Sequence, residues 1–261
     1  TGSFETVSLP PDDAINVATE KVIPELIGTD SMDQASIDEL MREIDGTDNF
    51  SRIGGNLAIA TSMAAAKAAS SALDIPLYQH LGGAMAGSLP FPLGNIIGGG
   101  AHAPGATDIQ EFHSIPVGAG SIIECIALNI EVHKNVKETF KDQGVYCGKG
   151  DEGGWAPQIS DEKALKILKK VVDGVSEEHG IEILLGLDVA ASELFSDNVY
   201  RYSDKELSPE EQIDHMKNLV DTYGIYYLED PLEENDFAGF SVLTDEMDTL
   251  VCGDDLFVTN V

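Results

Sequence analysis

Three acidic residues stand where a protein would need them to hold a cation. Asp188 follows the run Ile-Glu-Ile-Leu-Leu-Gly-Leu, Glu229 and Asp230 follow Ile-Tyr-Tyr-Leu, and Asp254 and Asp255 follow Leu-Val-Cys-Gly. One acidic residue after one apolar run commonly caps a helix or meets solvent. Three in succession are different: if the runs are neighbouring strands, Asp188, Glu229 and Asp254 converge on one mouth, and that crowding is tolerable only with a cation to neutralise it. Ligation by oxygen alone, without Cys or His, points to Mg2+, with manganese as a substitute. Gln110 and Glu111 lie in an otherwise apolar stretch, Ile109 to Val117. A buried amide and carboxylate need a partner there, and a ligand would be one. Glycine-rich segments at 98–105 and 148–155 lie where mouth loops would be. Neither has the spacing of a P-loop or of a dinucleotide fingerprint, so as bare loops they read first as tight turns.

These residues need a scaffold. The apolar runs Phe91–Ile97, Ile109–Val117, Ile181–Leu187, Ile225–Leu228 and Leu250–Cys252 read as buried strands, several β-branched and apolar on both faces. Helical stretches fall between them. The clearest opens at Ser208-Pro209-Glu210-Glu211, a capping box with proline at the first helical position, and continues through Ile213, Met216, Leu219 and Val220. Strand and helix in alternation imply parallel βα units. Acidic residues at the carboxyl ends of strands favour a (β/α)8 barrel over a doubly wound sheet, since barrels build their sites there. Leu89 to Val261 is shorter than the roughly 250 residues a whole barrel takes, so some βα units are expected to be missing.

The first 85 or so residues read as helical. Asp12–Val22 follows Pro10-Pro11 with apolar residues at helical spacing, and Ile37, Leu40, Met41 and Ile44 form an i, i+3, i+4, i+7 stripe. Asn56–Leu73 is so rich in alanine that it is small on almost every side, a helix expected to pack closely at a domain interface. The expected domains are 1–86, mostly helical, and 87–261, the barrel part.

Composition narrows the partners. Acidic residues number 46 against 15 Lys and Arg, a net charge of -31 that repels nucleic-acid phosphates and anionic membranes alike. No apolar run reaches membrane-spanning length and no leader is evident, so a cytoplasmic protein without nucleic-acid partner or membrane span is expected. Cys125, Cys147 and Cys252 lie far apart with no CxxC pair, and read as reduced core thiols.

Five motifs in order then give the chain its resemblance: Gly-Gly-Ala-His-Ala-Pro-Gly with Gln110-Glu111-Phe112 beyond it, Gly-Asp-Glu-Gly-Gly-Trp-Ala-Pro, Gly-Leu-Asp-Val-Ala-Ala-Ser-Glu, Leu-Glu-Asp-Pro, and Gly-Asp-Asp-Leu-Phe-Val-Thr-Asn. In these the chain resembles the enolase family, archaeal-like. The likeness extends to the alanine-rich helix, to Leu77-Tyr78-Gln79-His80-Leu81, and to Thr1-Gly2, which resembles the end of the family's mobile first loop. The resemblance implies an enolase-type (β/α)8 TIM barrel, α/β in class, with an irregular β-β-α-α start, truncated here and preceded by the helical part of a small α+β domain. It implies the Mg2+-dependent dehydration of 2-phospho-D-glycerate to phosphoenolpyruvate by a phosphopyruvate hydratase. By resemblance, Asp188, Glu229 and Asp254 are the metal ligands, with Glu229 and Asp254 also lining the substrate site. Glu152 is the general acid that helps the 3-hydroxyl leave, and Glu111 its acidic partner, also in reach of substrate. His102 and Gln110 contact substrate, Asp255 stands behind the ligands, and the full-length protein is a homodimer or larger.

The family's base is a lysine on a later strand, followed by a His-Arg-Ser segment and another lysine. Here the last basic residue is Lys217. The chain is therefore expected to be incomplete at both ends and inactive alone. A racemase or cycloisomerase relative would carry a lysine pair on an early strand, where this chain has Asp108-Ile-Gln-Glu-Phe-His-Ser-Ile-Pro. A non-catalytic binding or scaffold protein derived from an enolase is the rival of a different class.

Overall fold

A computed structural model describes residues 2–259, so Thr1 of the loop resemblance and Asn260 of the last motif lie outside the described residues. The chain divides into two compact units. One is Phe4–Ser88; the other runs from Leu89 and includes the residues before Phe4.

The smaller unit is helical: α1 (Pro11–Val17), α2 (Ile23–Leu26), α3 (Gln34–Asp45), α4 (Gly55–Ala72) and α5 (Leu77–Gly82). The single helix expected over 12–22 instead widens into a π-helical turn at Ala18–Val22 before α2. Pro24 has no N–H to return to Glu20, which removes one rung of an ordinary helix where the turn widens. The stripe on α3 meets its expectation, with Ile37 and Met41 buried. Met41, Val22 and Ile53 form the centre of a small core. Asp45, fully buried, closes the α3 end by accepting the backbone N–H groups of Arg52 and Ile53 at 2.9 and 2.8 Å. On alanine-rich α4, Ala66, Ala69 and Ser70 are buried.

The larger unit begins with β1 (Gly94–Gly98) and β2 (Glu111–Ile115), followed by α6 (Ile122–Asp142). A short hairpin, β3 (Gly148–Lys149) with β4 (Trp155–Ala156), leads to α7 (Asp161–His179) and β5 (Leu184–Asp188). A small meander of β6 (Phe195–Ser196), β7 (Val199–Arg201) and β8 (Glu206–Leu207) precedes α8 (Pro209–Tyr223). Then come β9 (Ile225–Glu229), α9 (Phe237–Glu246), β10 (Leu250–Cys252) and α10 (Asp254–Phe257). Neither the hairpin nor the meander was expected, because two- and three-residue strands are too short to show a period.

The main sheet has the order β10-β9-β5-β2-β1-β4-β3. β5, β9 and β10 are parallel neighbours separated by helices, as the alternation requires. β2 is antiparallel to both β1 and β5, so the expectation of parallel units throughout fails at β2, while β1 with β4, and β5, β9 and β10 in turn, pair in parallel. The start is β-β-α-α, the irregular opening that the resemblance implied. The capping box at Ser208 forms as expected, its hydroxyl receiving the Glu211 amide and Glu211 receiving the Ser208 amide at 2.8 Å. Ile97, Phe112, Leu185, Leu187 and Leu228 in the sheet bury against Val132 on α6, Leu165 and Leu168 on α7 and Met216 on α8. Of the cysteines only Cys125 is buried; Cys147 and Cys252 are half-buried, and all are free thiols.

Candidate functional site

The reversed direction of β2 is what assembles the site. Glu111 is the first residue of β2, but because the strand runs antiparallel it lies level with the last residues of its neighbours. The register pairs Gly98 with Glu111, Glu111 with Asp188, Asp188 with Glu229, and Glu229 with Cys252. One row across the sheet therefore brings carboxylates from three strands to the same end.

Two groups of side chains form there. In the first, carboxylate oxygens of Asp188, Glu229 and Asp230 all lie within 4.8 Å of one another, close enough to hold a metal ion. Asp230 was not expected in this set, since alternation along a strand sends neighbours to opposite faces. Its backbone breaks the alternation with φ of 40°, and its amide donates to the Cys252 carbonyl at 3.0 Å. Asp254, expected as a ligand, lies outside this trio, exposed at the first residue of α10. Its charge still raises the pKa values of Glu229 and Asp230, and the buried Asp255 donates its amide to Asp230 Oδ2 at 2.8 Å. Gln110 donates from Nε2 to Asp188 Oδ2 at 3.0 Å, and Asp188 Oδ1 receives the Ala190 amide at 3.0 Å.

Burial, aided by the Glu229 charge, pushes Asp188 up to about 8. Burial and the charges of Asp255 and Glu229 push Asp230 up to about 7, and burial raises Glu229 as well. Three carboxylates in this space resist ionising together, and a cation among them would reverse each shift. Asp230 Oδ1 and Gln110 Oε1 are buried acceptors without a protein partner. Lone pairs left open among carboxylate and amide oxygens, in a trio without His or Cys, fit a hard divalent cation.

The second group is His102, Glu111 and Glu152, whose ligand atoms also lie within 4.8 Å of one another. His102 Nδ1 is 3.6 Å from Glu152 and 3.8 Å from Glu111. Glu111 shares a hydrogen bond with Glu152, which leaves one proton between the two carboxyls. Burial, with that bond and the Glu152 charge, pushes Glu111 up to about 8, while the same bond holds Glu152 low. The proton belongs to the pair more than to either member. His113, buried beside Glu111 at 2.7 Å, is held down to about 4 by burial, so it is neutral and donates from Nε2. Asn95 steadies the other end of the pair, donating from Nδ2 to Glu152 Oε2 at 3.3 Å. Sequence reasoning missed His113 and Asn95; for His113 the signal was there, a polar residue two places after Glu111 on the same face of an apolar strand.

Beside these groups a cavity of about 380 Å³ opens between the 100–108 loop and the turn after β5. Gln110, Asp108, Glu193 and Ser203 give it polar walls. Gly99, under the loop, has no room for a side chain, since a Cβ would meet Thr107 Oγ1 at 2.0 Å and the Thr107 carbonyl at 2.4 Å. Ser3 is tied to Glu234: its amide donates to Glu234 Oε2 at 2.9 Å, and its hydroxyl donates to the same carboxylate.

A family model described as "Enolase, C-terminal TIM barrel domain" matches residues 86–261, and one described as "Enolase, N-terminal domain" matches residues 8–81. The chain belongs to the enolase family. It is similar over its whole length to proteins named Enolase from Archaeoglobus fulgidus, at 52% identity, and from Halorubrum lacusprofundi and Natronomonas pharaonis, each at 50%. It covers 65% of the first of these relatives and 66% of the other two, and so spans about two thirds of an enolase's length. The mixed sheet is thus part of an enolase TIM barrel. Among the described residues no helix is long and apolar enough to cross a membrane.

Proposed function

We propose that the protein is an enolase, a phosphopyruvate hydratase that removes water from 2-phospho-D-glycerate to give phosphoenolpyruvate, and that its cation is Mg2+. The observation behind this reading is the row of Glu111, Asp188 and Glu229 at one end of the sheet, which sets an acid pair beside an all-oxygen cation cluster. Asp188 and Glu229 hold the ion, with Asp230 completing the trio of carboxylates; Asp254, on the exposed start of α10, is a ligand by the enolase resemblance alone. Bound Mg2+ supplies the positive charge that lets a proton beside a carboxylate leave, as the handling of such acids on divalent cations requires. The Glu111–Glu152 pair holds one proton at neutral pH and delivers it through Glu152 as the 3-hydroxyl departs, because hydroxide leaves poorly without a positioned acid. His102, whose Nδ1 faces both carboxylates without a hydrogen bond, and Gln110, whose Oε1 accepts none, offer polar contacts to substrate. The acidic substrate meets a chain of net charge -31, so the cation also offsets repulsion at the mouth. We place the protein in the cytoplasm, with neither nucleic acid nor membrane as partner, and its full-length form as a homodimer or larger.

No Lys or Arg follows Lys217, so these residues supply the metal and acid side of the reaction without a lysine base. Turnover by the 261-residue chain alone is expected to be absent. The test follows phosphoenolpyruvate by its ultraviolet absorbance, with Mg2+ and 2-phosphoglycerate, in this chain and in one extended over the further length of its relatives. Activity in the extended chain alone supports the reading. Activity in this chain removes the need for a later base. Silence in both, with the extended chain folded and Mg2+ bound, overturns the enzyme and leaves a non-catalytic enolase-derived binding or scaffold protein.

A further inference from the structure

Glu152 sits on a loop with little of its own to hold it. Residues 150–154 turn back on themselves, the Gly153 amide donating to the Gly150 carbonyl at 3.1 Å and the Gly150 amide to the Gly154 carbonyl at 2.9 Å. Gly153 takes φ of 87°, which favours glycine, and the Glu152 side chain is 48% exposed. The loop is anchored from outside. On one flank the Asp151 amide reaches the His102 carbonyl at 3.3 Å. On the other, the ring of His133, from the middle of α6, contacts the Gly153 carbonyl through Nε2 at 3.1 Å. The ring is itself fixed: Trp155 stacks on it at 4.7 Å between centroids and 29° between planes, and the indole N–H donates to the His133 carbonyl at 2.9 Å. Lys137 and Lys149 place their ammonium groups 5.0 and 4.9 Å from the indole centroid.

We propose that His133 is a positioning residue, which fixes Glu152 against Glu111 by donating from Nε2 to the Gly153 carbonyl while Trp155 clamps its ring to α6. A carbonyl only accepts, so Nε2 carries the hydrogen. Burial and the two lysine charges keep the ring below the ordinary histidine range, and hence neutral, with Nδ1 bare. A 21-residue helix is a rigid support, whereas the loop's own bonds are few and exposed. The role of Glu152 as acid rests on the enolase reading; the brace itself does not.

The test is hydrogen exchange of the 150–154 amides in the unmodified chain, in His133→Phe, which keeps a ring under Trp155 but no donor, and in His133→Gln, which keeps an N–H but no ring. Loss of one hydrogen bond of about 1 kcal/mol speeds local opening about fivefold. The Phe variant is expected to exchange about fivefold faster there with an unchanged melting midpoint, and the Gln variant to return most of the protection. Equal exchange in the unmodified and Phe chains, or equally fast exchange in Phe and Gln, overturns the brace. In the same samples, Mg2+ alone should slow amides at the ends of β5 and β9 in every variant. Failure of that arm counts against the metal reading and leaves the brace standing.

Discussion

The two carboxylate groups at the rim are held in different ways. Asp188 and Glu229 end adjacent parallel strands, and the ladder that pairs them also fixes their separation. Glu152 meets Glu111 across a glycine-rich loop whose position depends on bonds from His102 and His133. The first group is crowded by the backbone, so it must take either protons or a cation. The second is brought together by side chains and shares a proton by itself. Rigid strands suit a site whose geometry must match an ion, and a tethered loop suits a group that must meet a substrate as it enters.

The largest expected effect separates the groups by metal affinity. Asp188→Asn is expected to weaken Mg2+ binding about a hundredfold or more, because it removes a charged ligand from the trio, whereas even residues behind a ligand commonly cost 10- to 100-fold. Glu111→Gln is expected to leave affinity within about threefold, since Glu111 belongs to the other group. Titration calorimetry measures both. Equal losses would mean that the two groups form one cation site.

Next in size is the dependence of stability on pH. Asp188 and Glu111, both pushed up to about 8, and Asp230, pushed up to about 7, bind protons more tightly in the folded chain than in the unfolded one. Unfolding therefore releases protons, and stability falls as pH rises through those values. His113 and His215, both held down to about 4, act the opposite way, but only below their ordinary value of 6.5. Above 6.5 that opposition, which the lowered His133 shares, fades, and the carboxylates set the sign up to pH 8. Urea midpoints of the metal-free chain are expected to fall across that window and to level out with saturating Mg2+, which replaces protons in the Asp188 group. Asp188→Asn should reduce the metal-free slope, leaving the part that comes from Glu111 and Asp230. A midpoint that rises from pH 6.5 to 8 without metal would contradict the crowded arrangement.

The scaffold was legible where periods were long. The strands ending at Asp188 and Glu229 were visible as apolar runs closed by an acid, and α8 as a capping box followed by a helical stripe. The level at which Glu111 lies was not, because nothing local tells an antiparallel strand from a parallel one; only the resemblance implied an irregular start. Asp230 was passed over because alternation assigns it to the far face, and only its positive φ brings its carboxylate round. His133 was invisible for another reason: it acts through the Gly153 carbonyl, 20 residues away in sequence, and a lone histidine on a helix has no spacing to mark it. His113 was passed over although it stands two places after Glu111 on the same strand face. The motifs told which loops belong together, and the register told how they meet.

The smallest expected effect tests the contrast between ladder and loop directly, with one methyl group in each. In β5, a Cβ at Gly186 would lie 3.1 Å from Ile115 Cδ1 and 3.3 Å from the Cβ atoms of His113 and Tyr227. The isoleucine tip can turn aside, but the two Cβ atoms sit on paired strands and cannot, so Gly186→Ala is expected to cost about 1 to 3 kcal/mol by overpacking. That cost falls on the sheet that fixes Asp188 and Glu229, and Mg2+ affinity should weaken with it. In the loop, a Cβ at Gly154 would lie 2.5 Å from Asn95 Oδ1 and 2.9 Å from the Gly98 amide nitrogen. The asparagine can swing away, losing its bond to Glu152, while the Gly98 backbone forces the loop outward. Gly154→Ala is therefore expected to lower the melting midpoint less than Gly186→Ala, leave Mg2+ affinity within about threefold, and speed exchange of the 150–154 amides. If Gly154→Ala instead weakens Mg2+ as strongly as Gly186→Ala, the loop shares in fixing the cation ligands and the division between the two groups fails.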